Sequence, residues 1–172
     1  MTGGVRRAGR DDGPAIAAVQ IASWRATYPQ VAPHVLATLR EDRCVASWTS
    51  HVQAPVRRDL MVLVHSCEDG PIDGYAAVHS LDADPGVGYV ASLYVHPDST
   101  GRGVGRDLLA SALTELRGRG HLRVVLDALR DVSGARGFYE HLGWRVLAEP
   151  APPWHELPQV RYEAPAPTSF VG

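Results

Sequence analysis

The chain has 172 residues, of which 45% are hydrophobic and 21% charged, with a formal net charge of −2. That is the size and balance of a single globular domain with a real core, and it excludes a disordered chain or the basic footprint of a nucleic-acid binder. All 17 basic residues are arginines, and the two cysteines, Cys44 and Cys67, sit in no metal-ligand spacing, so no metal site is expected. No apolar run reaches the ~18 residues of a membrane span, and Met1-Thr2-Gly3-Gly4 leads into charged residues with no signal-peptide pattern. A cytoplasmic protein with reduced thiols and no membrane partner is the expectation.

In chain order, residues 5–8 read as a first strand. Asp11-Asp12-Gly13-Pro14 carries acidic residues and an early proline, a helix-start signal. The helix holds Ile16, Val19, Trp24 and Tyr28 and ends at Pro29. Residues 33–51 read as one second helix, closed by Pro55. Residues 59–65 are an almost unbroken apolar run, as in a strand buried on both faces. A turn over 67–71 leads to a strand over 72–80, and a turn over 82–88 leads to a third strand marked by Val90, Leu93 and Val95. Pro97-Asp98 ends it.

Gly101, Gly103 and Gly105 follow, and then Val104, Leu108, Leu109, Ala112, Leu113 and Leu116 recur as the stripe of an amphipathic helix. Glycines directly before a helix leave its N–H groups unshielded at the positive end of the dipole, which suits an anion. Residues 121–129 form another strand. Ser133 is the expected N-cap of a short helix over 134–142, ended by Gly143. Residues 144–148 are a strand, 150–158 a loop, 160–163 a last edge strand, and 164–172 a tail expected to be disordered.

Two phosphate-binding signatures fail at the glycine turn. A GxxxxGK[ST] loop needs a lysine, and the chain has none. The GxGxxG fingerprint does not fit Gly101-Arg-Gly-Val-Gly-Arg106, and its strand lies deep in the chain behind a hairpin. What remains is the order hairpin, strand, Gly-x-Gly-x-Gly, long helix, strand, short helix with Phe138-Tyr139.

In that order the chain resembles the GNAT superfamily of N-acetyltransferases, which use acetyl-coenzyme A. SLYVHP at residues 92–97 is similar to the family's bulged fourth strand. TGRGVG at 100–105 matches its R/Q-x-x-G-x-G/A pyrophosphate loop, and ARGFYEHLGW at 135–144 its A-x-x-F-Y segment. Residues 11–28 look like its first helix. Two positions depart: Thr100 stands where the loop usually has Arg or Gln, and Val132 where an asparagine is frequent.

The resemblance implies one domain over residues 1–163. Its fold is α/β (α+β), a mixed, mostly antiparallel sheet of six to seven strands flanked by about four helices and splayed between strands four and five. It implies an acetyltransferase acting on a primary amine of a small molecule or a protein N-terminus by direct attack in a ternary complex, and a family that often forms homodimers. The backbone at Leu93, Tyr94 and Val95 would pair with the pantetheine arm and stabilise the oxyanion. Thr100, Gly101, Arg102, Gly103, Val104, Gly105 and Arg106 would take the pyrophosphate, with Phe138 beside them. Tyr139 would be the general acid toward the leaving thiolate.

No carboxylate base stands on the fourth strand. His79 belongs to the one residue type that ordinarily changes charge near neutral pH, and it is a candidate on the preceding strand, beside Asp82, Asp84 and His155. Trp24, Tyr28 and Trp154 are candidates for the acceptor pocket, with Arg25 adjoining; for the first two, packing at i, i+4 on one helix face is the competing role. Two other functions stay open on the sequence: an acyl-coenzyme A sensor without turnover, and a plain α/β interaction domain.

Overall fold

The computed structural model describes residues 3–55, 57–67, 70–148 and 150–167. The elements run β1 (Gly4–Arg7), α1 (Gly13–Thr27), α2 (Pro33–Ala37), α3 (Glu41–Gln53), β2 (Met61–Ser66), β3 (Ile72–Leu81) and β4 (Asp84–Val95). A 3₁₀ turn (Pro97–Ser99) leads on to α4 (Val104–Gly118), β5 (Val124–Leu129), α5 (Ser133–His141), β6 (Arg145–Val146) and β7 (Gln159–Glu163). The strands make one sheet in the order β1-β2-β3-β4-β5-β7-β6. Every pairing is antiparallel except β4 with β5, which are parallel and joined through α4. No helix among the described residues is long and apolar enough to cross a membrane.

The sheet is covered on both faces. On one, the α4 stripe buries Val104, Leu108, Leu109, Ala112 and Leu116 against Leu63, Ala76, Val78, Val90 and Leu126. Each fully buried leucine there contributes roughly 1.5–3 kcal/mol. Tyr139 and Trp144, at the α5 end, and Tyr162 of β7 complete this core. On the other face Ile16 and Val19 of α1 pack on Val62, Val64, Tyr75 and Ala77, with Trp48 and Val52 of α3 beside them. A third cluster joins Tyr28, Ala32 and Val35 to Trp24 and Trp154.

Three local expectations are corrected. The helix over 33–51 is two helices: the Thr38 hydroxyl donates to Val35 O at 3.0 Å, and Arg40 is extended (φ −114°, ψ 111°) before Glu41 and Asp42 open α3. Acidic residues suit that new positive end, so the chain restarts rather than continues. Ser133 is the first residue of α5 and makes no side-chain cap, the cap position being Val132. Strand β7 is not the edge: it inserts between β5 and β6, leaving the short β6 outside. Among the described residues five helices flank the sheet, besides the 3₁₀ turn, in line with the expected four or so.

Of the expected turn over 67–71, Glu68 and Asp69 lie outside the described residues, while the Gly70 N–H donates to Cys67 O at 2.9 Å. Of the expected tail, 168–172 lie outside them. Ala164 is buried, and its N–H donates to Val124 O at 2.9 Å, so pairing continues one residue past β7.

Gly13, at the start of α1, lies against the α3 backbone: a Cβ there would come within 2.6 Å of Thr49 Cα and 2.7 Å of Thr49 N. Backbone cannot rotate aside, so Gly13→Ala should part α1 from α3 and cost about 1–3 kcal/mol, lowering the melting midpoint by ~2–4 °C per kcal/mol. Gly4→Ala, where nothing lies within 4 Å, is the matched control and should leave the midpoint unchanged.

Candidate active site

Strand β4 carries one residue more than β3 can pair. The register runs Ala77↔Ser92 and then Val78↔Val90, which leaves Ala91 as a bulge. Before the bulge, Gly88, Tyr89 and Val90 pair with Val124, Val125 and Leu126 of β5. After it, β4 continues to Val95 and β5 to Leu129 with no pairing between them. A bulge bends and twists its strand, and here the bend opens the sheet. The His96 N–H donates to Asp73 O at 2.7 Å, which fixes the alternation of the β3–β4 ladder. By that alternation Tyr94 shares its backbone bonds with Tyr75, whereas Leu93 and Val95 turn their N–H and C=O toward the side β5 has left.

The open edge runs into the glycine turn. Gly101 (φ +76°) and Gly103 (φ +88°) are left-handed, the region only glycine enters without strain. The first helical bond of α4 is Asp107 N–H to Gly103 O at 3.0 Å. The N–H groups of Gly103, Val104, Gly105 and Arg106 therefore precede the ladder, at the positive end of a 15-residue helix. A Cβ on Gly105 would lie 3.3 Å from Phe138 Cζ and 3.5 Å from Val95 Cγ2, so turn, strand end and α5 meet at this glycine. The donor set and the absence of side-chain bulk fit a diphosphate. Thr100 takes no part through its side chain, which donates to Pro97 O at 2.8 Å. Arg102 and Arg106 are exposed, and Arg106 meets Asp107 at 3.2 Å.

Tyr139 lies under the open edge, 9% exposed, among the rings of Phe138 (5.3 Å), Tyr162 (5.7 Å) and Trp144 (6.1 Å). Burial pushes its phenol far above the ordinary tyrosine range, and the neighbouring phenols of Tyr94 and Tyr162 add to this. Its hydroxyl makes no hydrogen bond among the described residues. At neutral pH its hydroxyl stays protonated.

On the opposite face of β3 and β4 lies a cleft of about 380 Å³. Tyr75, Ala77 and His79 alternate along β3 to form its floor, with Ser92 and Tyr94 of β4. Trp24 of α1, Trp48 of α3 and Trp154 form the walls. Trp48 stands edge-on to Tyr75 at 4.8 Å, and Trp24 to Trp154 at 5.5 Å. Tyr28 lies behind, its hydroxyl sharing a hydrogen bond with Tyr94 at 3.1 Å. Gln20 accepts from the Trp48 indole and from Tyr75, whereas Trp24 Nε1 is buried without reaching full hydrogen-bond geometry. Burial raises the Tyr28, Tyr75 and Tyr94 phenols alike.

The His79 ring is oriented. Its Nδ1 is 2.6 Å from Ser80 O, and a carbonyl only accepts, so Nδ1 carries the proton. That leaves Nε2 with a lone pair in the neutral ring. Tyr89 supports the ring edge-on at 5.4 Å and donates its own hydroxyl to Asp127 at 3.2 Å. Asp127 in turn takes two 2.8 Å bonds from Arg161, across β5 and β7.

The structure thus gathers Leu93, Val95, Gly101 to Arg106, Phe138 and Tyr139 along one opening, with Trp24, His79 and Trp154 in the cleft. Others point elsewhere. Arg25 pairs with Glu41, Asp82 with Arg57, and Asp84 with Gly86 N–H at 3.0 Å. His155 is exposed, its carbonyl 3.2 Å from His34 Nε2. Trp48 and Tyr75 were not among the sequence candidates. The alternation of Tyr75, Ala77 and His79 was the available signal for one of them; nothing local marks Trp48.

Comparison with known proteins gives a family model described as the acetyltransferase (GNAT) family, matching residues 20–144. The mycothiol acetyltransferase of Beutenbergia cavernae is 40% identical over 89 residues, covering 52% of this chain and 29% of that protein. That of Clavibacter sepedonicus is 32% identical over 108 residues, covering 63% and 32%. The chain thus spans less than a third of the length of the curated relatives it matches. The PaiA N-acetyltransferase of Thermoplasma acidophilum, solved with coenzyme A, superposes with a TM-score of 0.69 at 20% identity over 95% of this chain and 99% of that one. The yncA protein of Salmonella typhimurium, solved with acetyl-CoA, gives 0.67 at 22% identity over 99% and 98%. These structures share the fold, and the family model covers well over half of the sequence: the chain belongs to the acetyltransferase (GNAT) family.

Proposed function

We propose that this chain transfers an acetyl group from acetyl-coenzyme A to a primary amine of a small molecule or a protein N-terminus, by direct attack in a ternary complex. The observation that carries this is the open edge of β4, which joins the anion-suited turn to the aromatic cleft at the Ala91 bulge. Bound acetyl-coenzyme A supplies the acyl group already activated as a thioester.

The chain's own groups do the rest. The N–H groups of Gly103 to Arg106 hold the diphosphate, and the Leu93 and Val95 backbone pairs with the amide-bearing arm as a strand would. A backbone N–H aimed at the reacting carbonyl lowers such a barrier by roughly 3–4 kcal/mol. Tyr139, kept protonated by burial, gives its proton to the departing sulfur. His79 Nε2, on the cleft side, accepts the proton of the attacking amine directly or through one water. The mycothiol acetyltransferases lend support to acyl transfer, and their acceptor is theirs alone given the short overlap. A second reading, a coenzyme-binding sensor without turnover, is favoured only by the lack of a carboxylate on β4 beyond Asp84.

Tyr139→Phe removes the acid and keeps the ring packing. It should lower kcat about 10²–10⁴-fold, with coenzyme affinity by calorimetry within twofold of wild type; wild-type kcat would remove Tyr139 from the mechanism. Gly103→Val forces a β-branched residue to φ +88° over the donor cradle. It should raise KM for acetyl-coenzyme A at least about tenfold in a protein whose circular dichroism is unchanged, and an unaltered KM would count against the turn.

A further inference from the structure

Resting on acetyl transfer as the activity, we propose that the acceptor is a primary amine carried on one flat aromatic body, an arylalkylamine, rather than a polyamine or an amino sugar. The cleft presents a continuous run of rings. Trp48 meets Tyr75 at 4.8 Å, Tyr75 meets Tyr94 at 5.7 Å, Tyr94 meets Trp24 at 6.3 Å, and Trp24 meets Trp154 at 5.5 Å. These separations are those at which aromatic rings attract one another edge-on or offset, so a further ring entering the run finds partners on several sides.

Charge points the same way. Among the described residues that line the cleft none is a carboxylate. Its one guanidinium, Arg57, is held at the rim by Asp59 (3.1 Å), Asp82 and Ser80 O (3.1 Å). A second ammonium would leave water and meet only the Asp59 and Asp82 carboxylates at the rim, which Arg57 already engages. A single amine benefits instead, since apolar surroundings lower its pKa and favour the neutral, nucleophilic form. Against the many hydroxyls of an amino sugar the cleft sets Ser92 and His79 near the bulge, Ser47 and His51, which bond each other on α3, and Gln20, which is already bonded to Trp48 and Tyr75.

Two further features fit. The buried Trp24 N–H lies near the Tyr94 hydroxyl without reaching full hydrogen-bond geometry, so a π face or a phenol oxygen of the acceptor would complete its bonding. The volume of about 380 Å³ lies at the small end of ligand sites, enough for one ring on a short arm.

The test is thiol release from acetyl-coenzyme A with 2-phenylethylamine, tyramine, spermidine and glucosamine, beside saturation-transfer NMR of 2-phenylethylamine on the enzyme without coenzyme. The aryl amines should exceed the other two at least about tenfold in kcat/KM, in keeping with the worth of a buried ring. The NMR signal should be present in the wild type. Its Kd should rise roughly 2- to 12-fold in Trp48→Leu and in Trp154→Leu, the span expected for one aromatic contact. The loop variant keeps the test informative if Trp48→Leu fails to fold.

Preference for spermidine or glucosamine, or absence of the NMR signal, overturns the aryl acceptor while acetyl transfer stands. No thiol release with any amine, together with no thermal shift from acetyl-coenzyme A alone, overturns acetyl transfer itself.

Discussion

One surplus residue in β4 governs the geometry of this protein. With Ala91 unpaired, the strand bends away from β5 after three paired positions. Without the bend, β5 would cap the Leu93 and Val95 amides, and a sheet closed along its length would separate Tyr139 on one face from the aromatic cleft on the other. With it, a single backbone edge links the start of α4 to the cleft floor. Everything else holds that edge in place: β3 pairs its other side, the α4 stripe packs beneath, and the Asp127–Arg161 pair ties β5 to β7. That pair is almost wholly buried, with side chains 1% and 10% exposed, and its two 2.8 Å bonds are the geometry that makes a buried charge pair tolerable.

In the proposed reaction the two sides of the opening would carry opposite proton traffic. Tyr139 is buried among rings and held protonated, so it can only give. His79 has its Nδ1 proton fixed by Ser80 O, so in the neutral state its other nitrogen can only receive. Separating an acid from a base by environment rather than by residue type is how a site runs both transfers at one pH. For the proposed amine acceptor, the aromatic lining of the cleft would add to this by favouring its uncharged form.

What could be read in the sequence was local. The α4 stripe and its glycine turn were legible because helix period and left-handed backbone leave marks within a few residues. The apolar run of β2 was legible because burial on both faces demands it. The split between α2 and α3 was not, since it turns on the extended backbone at Arg40 and no glycine or proline stands there. The insertion of β7 between β5 and β6 is a matter of which edge remained free after α5 crossed, which no local pattern encodes. The cleft wall shows the same limit: Trp24 and Tyr28 share a helix face and could be paired by spacing, while Trp48 reaches Tyr75 only through the packing of α3 on the sheet.

The central claim is that the Leu93 and Val95 edge receives the coenzyme as a missing strand would. Residue-resolved amide hydrogen exchange by NMR, with and without coenzyme A, measures this directly. The Leu93 and Val95 amides should exchange readily in the free protein and slow markedly on binding, while Tyr94, already bonded to β3, stays unchanged. Protection confined to residues outside β4, or equal exchange at Leu93 and Val95 with and without coenzyme A, would contradict it.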